Sequence, residues 1–213
     1  AYSVTYADAN FNTSTLTASK VTLNRTGTAN GTVGVSGSGT SYTVSITGIA
    51  GDGTLGISIV GGTATDLVGN TAAASAASQT FTVDNTAPTV AIGGPSATFS
   101  TSGPVTYPVT FSDTNFDSSD LTAALVTLNR TGTANGSVNV TGSGTSYTVT
   151  ISNLTGEGTL GFSIASGAAT DKAGNAAPAS VASATFTVDN SPPTVTIGAP
   201  SVAITANGPV TFA

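Results

Sequence analysis

The chain has no cysteine, methionine, histidine or tryptophan, and only four lysines and arginines among 213 residues. Without cysteine there is no disulfide and no thiolate ligand, and exposure outside the cell carries no thiol-oxidation hazard. Without histidine or cysteine, a Ser or Thr nucleophile has no repeated general base beside it, so the sequence does not point to an enzyme. Four dispersed basic residues cannot neutralise a row of phosphates, which argues against nucleic acid as a partner. No apolar run approaches the roughly 20 residues of a membrane-spanning helix, so no membrane insertion is expected. Charged residues of either sign make up 7% of the chain and the net charge is −6. Solubility therefore rests on Ser, Thr and Asn. With 38% hydrophobic residues, the chain still has the apolar material for a packed core.

What the chain has instead is repetition. Val21-Thr-Leu-Asn-Arg-Thr-Gly-Thr-Ala-Asn-Gly31 recurs unchanged from Val126 to Gly136, an offset of 105 residues. The same offset carries Asp66 to Asp171, Asn70 to Asn175, Asp84 to Asp189 and Pro88 to Pro193 with no insertion. A unit of 105 residues is the size of one domain and far longer than the repeat of a solenoid. The frame is offset: residues 1–85 lack the start of a unit, 86–190 form a complete one, and 191–213 open a third. This phase predicts that 191–213 is either the start of the next unit in a longer array or a strand donated to another copy.

Within the complete unit, Thr89–Ile92 and Val105–Phe111 alternate with period two, the second placing Val105, Tyr107, Val109 and Phe111 on one face. Pro108 falls on the other face, and its missing N–H predicts an edge position or a bulge. Leu125–Leu128, Val138–Val140, Tyr147–Ile151, Leu160–Ile164 and Thr185–Val188 complete about seven strands. Asn135-Gly136 has the composition of a hairpin turn. Ser118–Ala124 predicts one helical turn capped by Ser118 or Ser119, with Leu121 pointing inwards. Short strands, regular turns and no helical period give an all-β fold of tandem antiparallel Ig-like β-sandwiches.

Two segments carry a family resemblance. Thr65-Asp-Leu-Val-Gly-Asn70 with Phe81-Thr-Val-Asp-Asn-Thr-Ala-Pro88, and Thr170-Asp-Lys-Ala-Gly-Asn175 with Phe186-Thr-Val-Asp-Asn-Ser-Pro-Pro193, resemble the bacterial Ig-like repeats of giant extracellular adhesin and surface-filament proteins. The resemblance spans the whole chain. It implies a stalk module of a secreted or cell-surface protein, sometimes stiffened by calcium between domains. Some surface Ig domains carry an intramolecular Lys–Asn isopeptide bond. Lys20 and Lys172 do not recur between the two copies, so that bond is not expected here.

In an Ig-like strand count, lettered A to G, the B–C and F–G loops share one end and the C–D and E–F loops share the other. Asp52 and Asp84 then fall at the lower end of the first unit, and Asp113, Asp117 and Asp171 at the upper end of the second. Asn85, Asn115 and Asn175 add neutral carbonyl oxygens. These eight residues are candidate ligands for an interdomain Ca²⁺, which takes six to eight oxygens. The competing expectation is local: Asp66 and Asp171 each close an Asx-turn in Asp-x-x-Gly-Asn.

The expected role is mechanical: a module of an extracellular bacterial stalk or filament, joined end to end with copies of itself or with neighbouring repeats. Few charged side chains guard the sheet edges, so lateral bundling with weak salt dependence is also expected. The alternative is a lectin-like ligand-binding domain of a surface adhesin, using the B–C and F–G loops.

Overall fold

A computed structural model describes residues 1–213. Apart from two single 3₁₀ turns, Ala18–Lys20 and Ala123–Leu125, its regular structure is all β. The first unit contributes β1 (Tyr2–Thr5), β2 (Phe11–Ser14), β3 (Val21–Arg25), β4 (Asn30–Ser38), β5 (Ser41–Ala50), β6 (Gly53–Ile59), β7 (Ala64–Asp66) and β8 (Phe81–Val83). The second opens with β9 (Thr89–Ile92) and β10 (Phe99–Ser100), which have no counterpart in the first. It then repeats the pattern as β11 (Val105–Ser112), β12 (Phe116–Ser119), β13 (Val126–Arg130), β14 (Asn135–Ser143), β15 (Ser146–Thr155), β16 (Gly158–Ile164), β17 (Ala169–Asp171) and β18 (Phe186–Val188).

The second unit is an Ig-like β-sandwich. One sheet runs β14-β15-β11-β9 and the other β10-β18-β16-β13, which is the A-B-E-D and C-F-G arrangement with β9 as strand A. After β9 the chain crosses to the other sheet, where β10 pairs parallel with β18. β12 and β17 pair across one end and bring the B–C and F–G loops together. The alternation read from the sequence sets which face is inside. Val105, Tyr107 and Val109 have no exposure, and Phe111 is buried with them. Tyr107 packs edge-on against Phe162 with ring centroids 5.0 Å apart, and its hydroxyl donates to the Ala184 carbonyl at 3.0 Å. The buried polar end therefore has a partner.

Three local expectations are corrected. β11 is an inner strand between β9 and β15, despite Pro108. The last pair on the β9 side is Val109 with Ile92, and Pro108 lies one step beyond it. There Gly93 donates its N–H to the Pro108 carbonyl at 2.8 Å, so the missing donor affects only the end of the ladder. A Cβ on Gly93 would stand 2.5 Å from Pro108 Cγ, so glycine makes room for the ring. Asn135-Gly136 is not a hairpin turn but the start of β14, with a bulge between Asn135 and Ser137. Ser118 and Ser119 lie in β12, and the helical turn comes later, at Ala123–Leu125. The Ser119 hydroxyl is drawn instead to Tyr147 Oη and the Gly144 carbonyl. Leu121 is buried in the core, as its pattern predicts.

The first unit repeats the ladders β1-β5-β4 and β3-β6-β8 with nothing outside β1 or β8. Burial registers the difference. The second unit holds one core of 18 buried residues, whereas the first holds clusters of 4 and 3. Phe186 is 1% exposed and its counterpart Phe81 is 37% exposed; Leu154 is 7% exposed and its counterpart Ile49 is 41% exposed. In the second unit, Val90, Ile92 and Ala97, from β9 and the segment after it, pack on the core.

Residues 194–197, which match β9 at the 105-residue offset, form no strand and join no ladder. The chain nevertheless repeats the corner that follows β9. Gly198 donates to Ala213 and Ser201 to Thr211, as Gly93 donates to Pro108 and Ser96 to Thr106. Val195 and Ile197 stand exposed there.

Equivalent truncations should therefore differ in cost. Phe186→Ala should destabilise the second unit by about 3–5 kcal/mol, and Phe81→Ala the first by about 1–2 kcal/mol. Chemical denaturation of each variant measures both. Equal losses would contradict the burial difference.

Candidate functional site

The acids of the sequence separate into two groups at the join between the units. The first holds the linker. Asp52 Oδ1 accepts the Asn85 backbone N–H at 2.7 Å, and its Oδ2 accepts the Thr86 hydroxyl at 3.1 Å. The Asn85 amide donates to the Gly51 carbonyl at 2.7 Å. One repeat later the clasp recurs around Glu157, which accepts from the Asn190 N–H and the Ser191 hydroxyl, while the Asn190 amide donates to Gly156. Gly156 has φ +75°, and a Cβ there would stand 2.1 Å from the Thr133 carbonyl, so this turn demands glycine. Asp52 and Asn85, expected among the calcium ligands, belong to this clasp.

The second group spans the join. One carboxylate oxygen each from Asp84, Asp113 and Asp171 lies within 4.8 Å of the others. Asp84 follows β8 in the first unit, Asp113 follows β11, and Asp171 ends β17 in the second. Asn115 donates its side-chain amide to Asp84 Oδ2, and Asn175 donates its own to the Asp84 carbonyl at 3.0 Å. The end of one sandwich is thus seated in the B–C and F–G loops of the next. Asp117, also expected here, is not in the cluster; it lies exposed in β12, where its Oδ2 accepts from Ser118.

The loops carry their own scaffolding. Asp171 Oδ1 accepts the Ala173 and Asn175 N–H groups at 2.9 and 2.8 Å, and Oδ2 accepts the Asn175 amide at 2.7 Å. This is the expected Asx-turn, and Asn175 serves it and Asp84 together. Asp113 similarly accepts the Asn115 N–H at 2.6 Å. Burial of the Asp171 carboxyl opposes its ionisation, but the bonds from Asn175, Ala173 and Gly174 outweigh it and hold the pKa below the usual carboxylate value. Asp66 is lowered in the same way, first by the Asn70 side chain.

Every hydrogen bond reaching the three clustered carboxylates comes from a backbone N–H or an Asn amide, none from Lys or Arg. Three like charges therefore converge without a counter-charge. The donor set fits a hard cation. Oxygens bound about 2.4 Å from one ion stand no more than about 4.8 Å apart, and Ca²⁺ takes carboxylate and amide oxygens in flexible geometry. Asp84, Asp113 and Asp171 would hold it, with the Asn115 and Asn175 carbonyl oxygens nearby. The sequence reading puts these five residues at the join between the units, and the structure brings them together there. Sequence reasoning missed that the amides of Asn115 and Asn175 are spent on Asp84, because that depends on the distance between units.

The upper end of the first unit has the same residues. Asp8 accepts from the Asn10 N–H at 2.7 Å, and Asp66 accepts from Val68 and Asn70. With Tyr6 and Phe11 they line an open hollow of about 160 Å³.

The lowered pKa fixes a sign. Ionised Asp66 stabilises the fold fully above about pH 4, and this contribution disappears as pH falls through the lower folded-state value. Asp66→Asn should lower the melting temperature of the first unit at neutral pH, with the deficit narrowing below about pH 4. Thermal melts across that range test it, and a deficit that does not change with pH would contradict it.

Comparisons with protein-family models, with curated proteins and with solved structures find no match, so the functional reading rests on this geometry.

Proposed function

We propose that the chain is a structural module of an extracellular bacterial stalk or filament, in which Ig-like sandwiches follow one another end to end and transmit load. The observation that carries this reading is the seating of Asp84 between Asn115 and Asn175, a direct bond between consecutive units. The clasp of Asp52 on Asn85 and Thr86 supports it by fixing the linker as it leaves the first unit. The join's residues recur at the 105-residue offset, and the clasp recurs with Glu157 in place of Asp52 and Ser191 in place of Thr86, which suits an array in which each join repeats the last. No helix is long and apolar enough to cross a membrane. An extracellular setting is supported by the absence of cysteine and by the resemblance to surface-filament repeats.

The lectin-like alternative draws less support. It needs the B–C and F–G loops free for a ligand, and in the second unit those loops are engaged with the unit before.

Calcium completes the proposal. Bound among Asp84, Asp113 and Asp171, it would neutralise their mutual repulsion and link carboxylates from both units, so the angle between them would hold under tension. Calorimetric titration of the two-unit chain should show one Ca²⁺ per join, with a rise in melting temperature. Asp113→Asn combined with Asp171→Asn should abolish both. Absence of heat and of any thermal shift in the unsubstituted chain would overturn the calcium proposal. Small-angle scattering tests the mechanical reading separately: the two units should scatter as one fixed arrangement, and a broad distribution of interdomain angles would contradict it.

A further inference from the structure

We propose, on the load-bearing reading above, that the second unit contains a mechanical clamp: the parallel pairing of β10 with β18 sets the tension at which the unit opens. In an end-to-end array, tension enters at Thr89, the first residue of β9, and leaves after Val188, the last residue of β18. Two strands resist it. β9 lies antiparallel on β11, from Thr89 opposite Ser112 to Ile92 opposite Val109. β18 lies between β10 and β16, with Phe99 beside Thr187 and Ser100 beside Val188 on one flank, and Gly158 to Leu160 on the other.

Both routes to rupture pass through the β10–β18 contact. If β9 slips first, the load moves along the chain to β10 and draws it along β18. If β18 slips first, it has to slide along β10. The two strands are parallel, so β10 is pulled from its leading end and β18 from its trailing end, in opposite senses. Their hydrogen bonds lie across the line of pull and are strained together rather than one after another. Thr187 donates its N–H to the Thr98 carbonyl at 2.8 Å, and Asp189 donates to Ser100 at 3.3 Å. Between them the register directs the Ser100 N–H to the Thr187 carbonyl. The chain ahead of β18 is strapped to β16 as well. Phe162 donates its N–H to Ser183 Oγ at 2.9 Å and Ile164 to Ser180 Oγ at 2.8 Å, and the two serine N–H groups donate back to the Phe162 and Ile164 carbonyls. A strand drawn out by its end drags this segment with it. Ser78 and Ser75 accept from Ile57 and Ile59 in the first unit in the same way, so the strap belongs to the repeat.

Single-molecule force measurement tests the clamp by direction, and the cysteine-free chain lets handles be attached at chosen points. Thr89→Cys with Thr194→Cys, both at exposed positions, loads the unit along its length. Thr89→Cys with Thr145→Cys loads it across. Thr89 and Thr145 flank the same end of β11, so β9 and β15 are then peeled from it pair by pair. The unfolding force along the unit should exceed the force across it at least about twofold. Ser100→Pro removes the central donor and should lower the force along the unit by about half. Phe99→Pro should leave that force unchanged, because in this register the Phe99 N–H points away from β18. Ser100→Ala should leave it unchanged too, since it loses only the hydroxyl that accepts the Gly103 N–H. Equal forces along and across the unit would overturn the clamp. So would a Ser100→Pro chain that opens at the unsubstituted force, or equal losses from the two prolines. Scattering from the unloaded chain decides the end-to-end reading separately: a fixed arrangement of the units with equal forces in both directions would leave that reading standing and remove the clamp alone.

Discussion

In an Ig-like sandwich the segment at the start of the domain can lay an outer strand on each of the two sheets in turn. In the second unit that segment lays β9 along β11 and β10 along β18, and most of the contrast with the first unit follows from it. With both strands in place, the apolar residues of β11, β15, β16 and β18 close into one core. Without them, the corresponding residues divide into two small clusters, and Phe81 faces solvent where Phe186 does not. Intrinsic propensity cannot account for this, since the β3 and β13 sequences are the same and form the same ladders. A sheet edge needs a partner, and burial depends on whether one is there.

The same segment positions the join. β9 begins five residues after Asp84, so the strand that completes the second sandwich also holds the first sandwich's last residues over its B–C and F–G loops. Cover and contact are therefore joined through one short stretch of chain. The Asx-turns at Asp113 and Asp171 present their carboxylates and the Asn115 and Asn175 amides in fixed directions. The clasp at Asp52 limits how the linker can turn as it approaches them. A cation would add to a contact already organised by hydrogen bonds rather than create one.

Much of this was legible in the sequence. Period-two alternation gave the inward face of β11 residue by residue, and strand count and turn spacing gave the fold class. Strand order alone put Asp84 at the lower end of the first unit and the other four residues of the join at the upper end of the second. What failed was local chemistry judged apart from its neighbours. Pro108 suggests an edge strand, yet β9 ends where the missing donor would be needed and Gly93 yields space. Asn135-Gly136 has turn composition but starts a bulged strand, because the preceding loop is tied to the E–F turn, with Thr133 donating its N–H to Glu157. Asp52 and Asp117 carry the right charge at nearly the right height. Which acids meet depends on side-chain direction, and Asp52 is turned to the linker by the Asn85 N–H. Residues 194–197 show the converse: strand composition without a partner forms no strand.

The central claim is that strand cover, not sequence, sets the difference between the two units. Amide hydrogen exchange measures it within one molecule, under one set of conditions, in segments of matched sequence. In the monomeric chain, β11 and β18 should be protected well beyond β1 and β8, while β5 and β15, inner strands in both units, should differ far less. Equal protection of β1 with β11 and of β8 with β18 would contradict the claim.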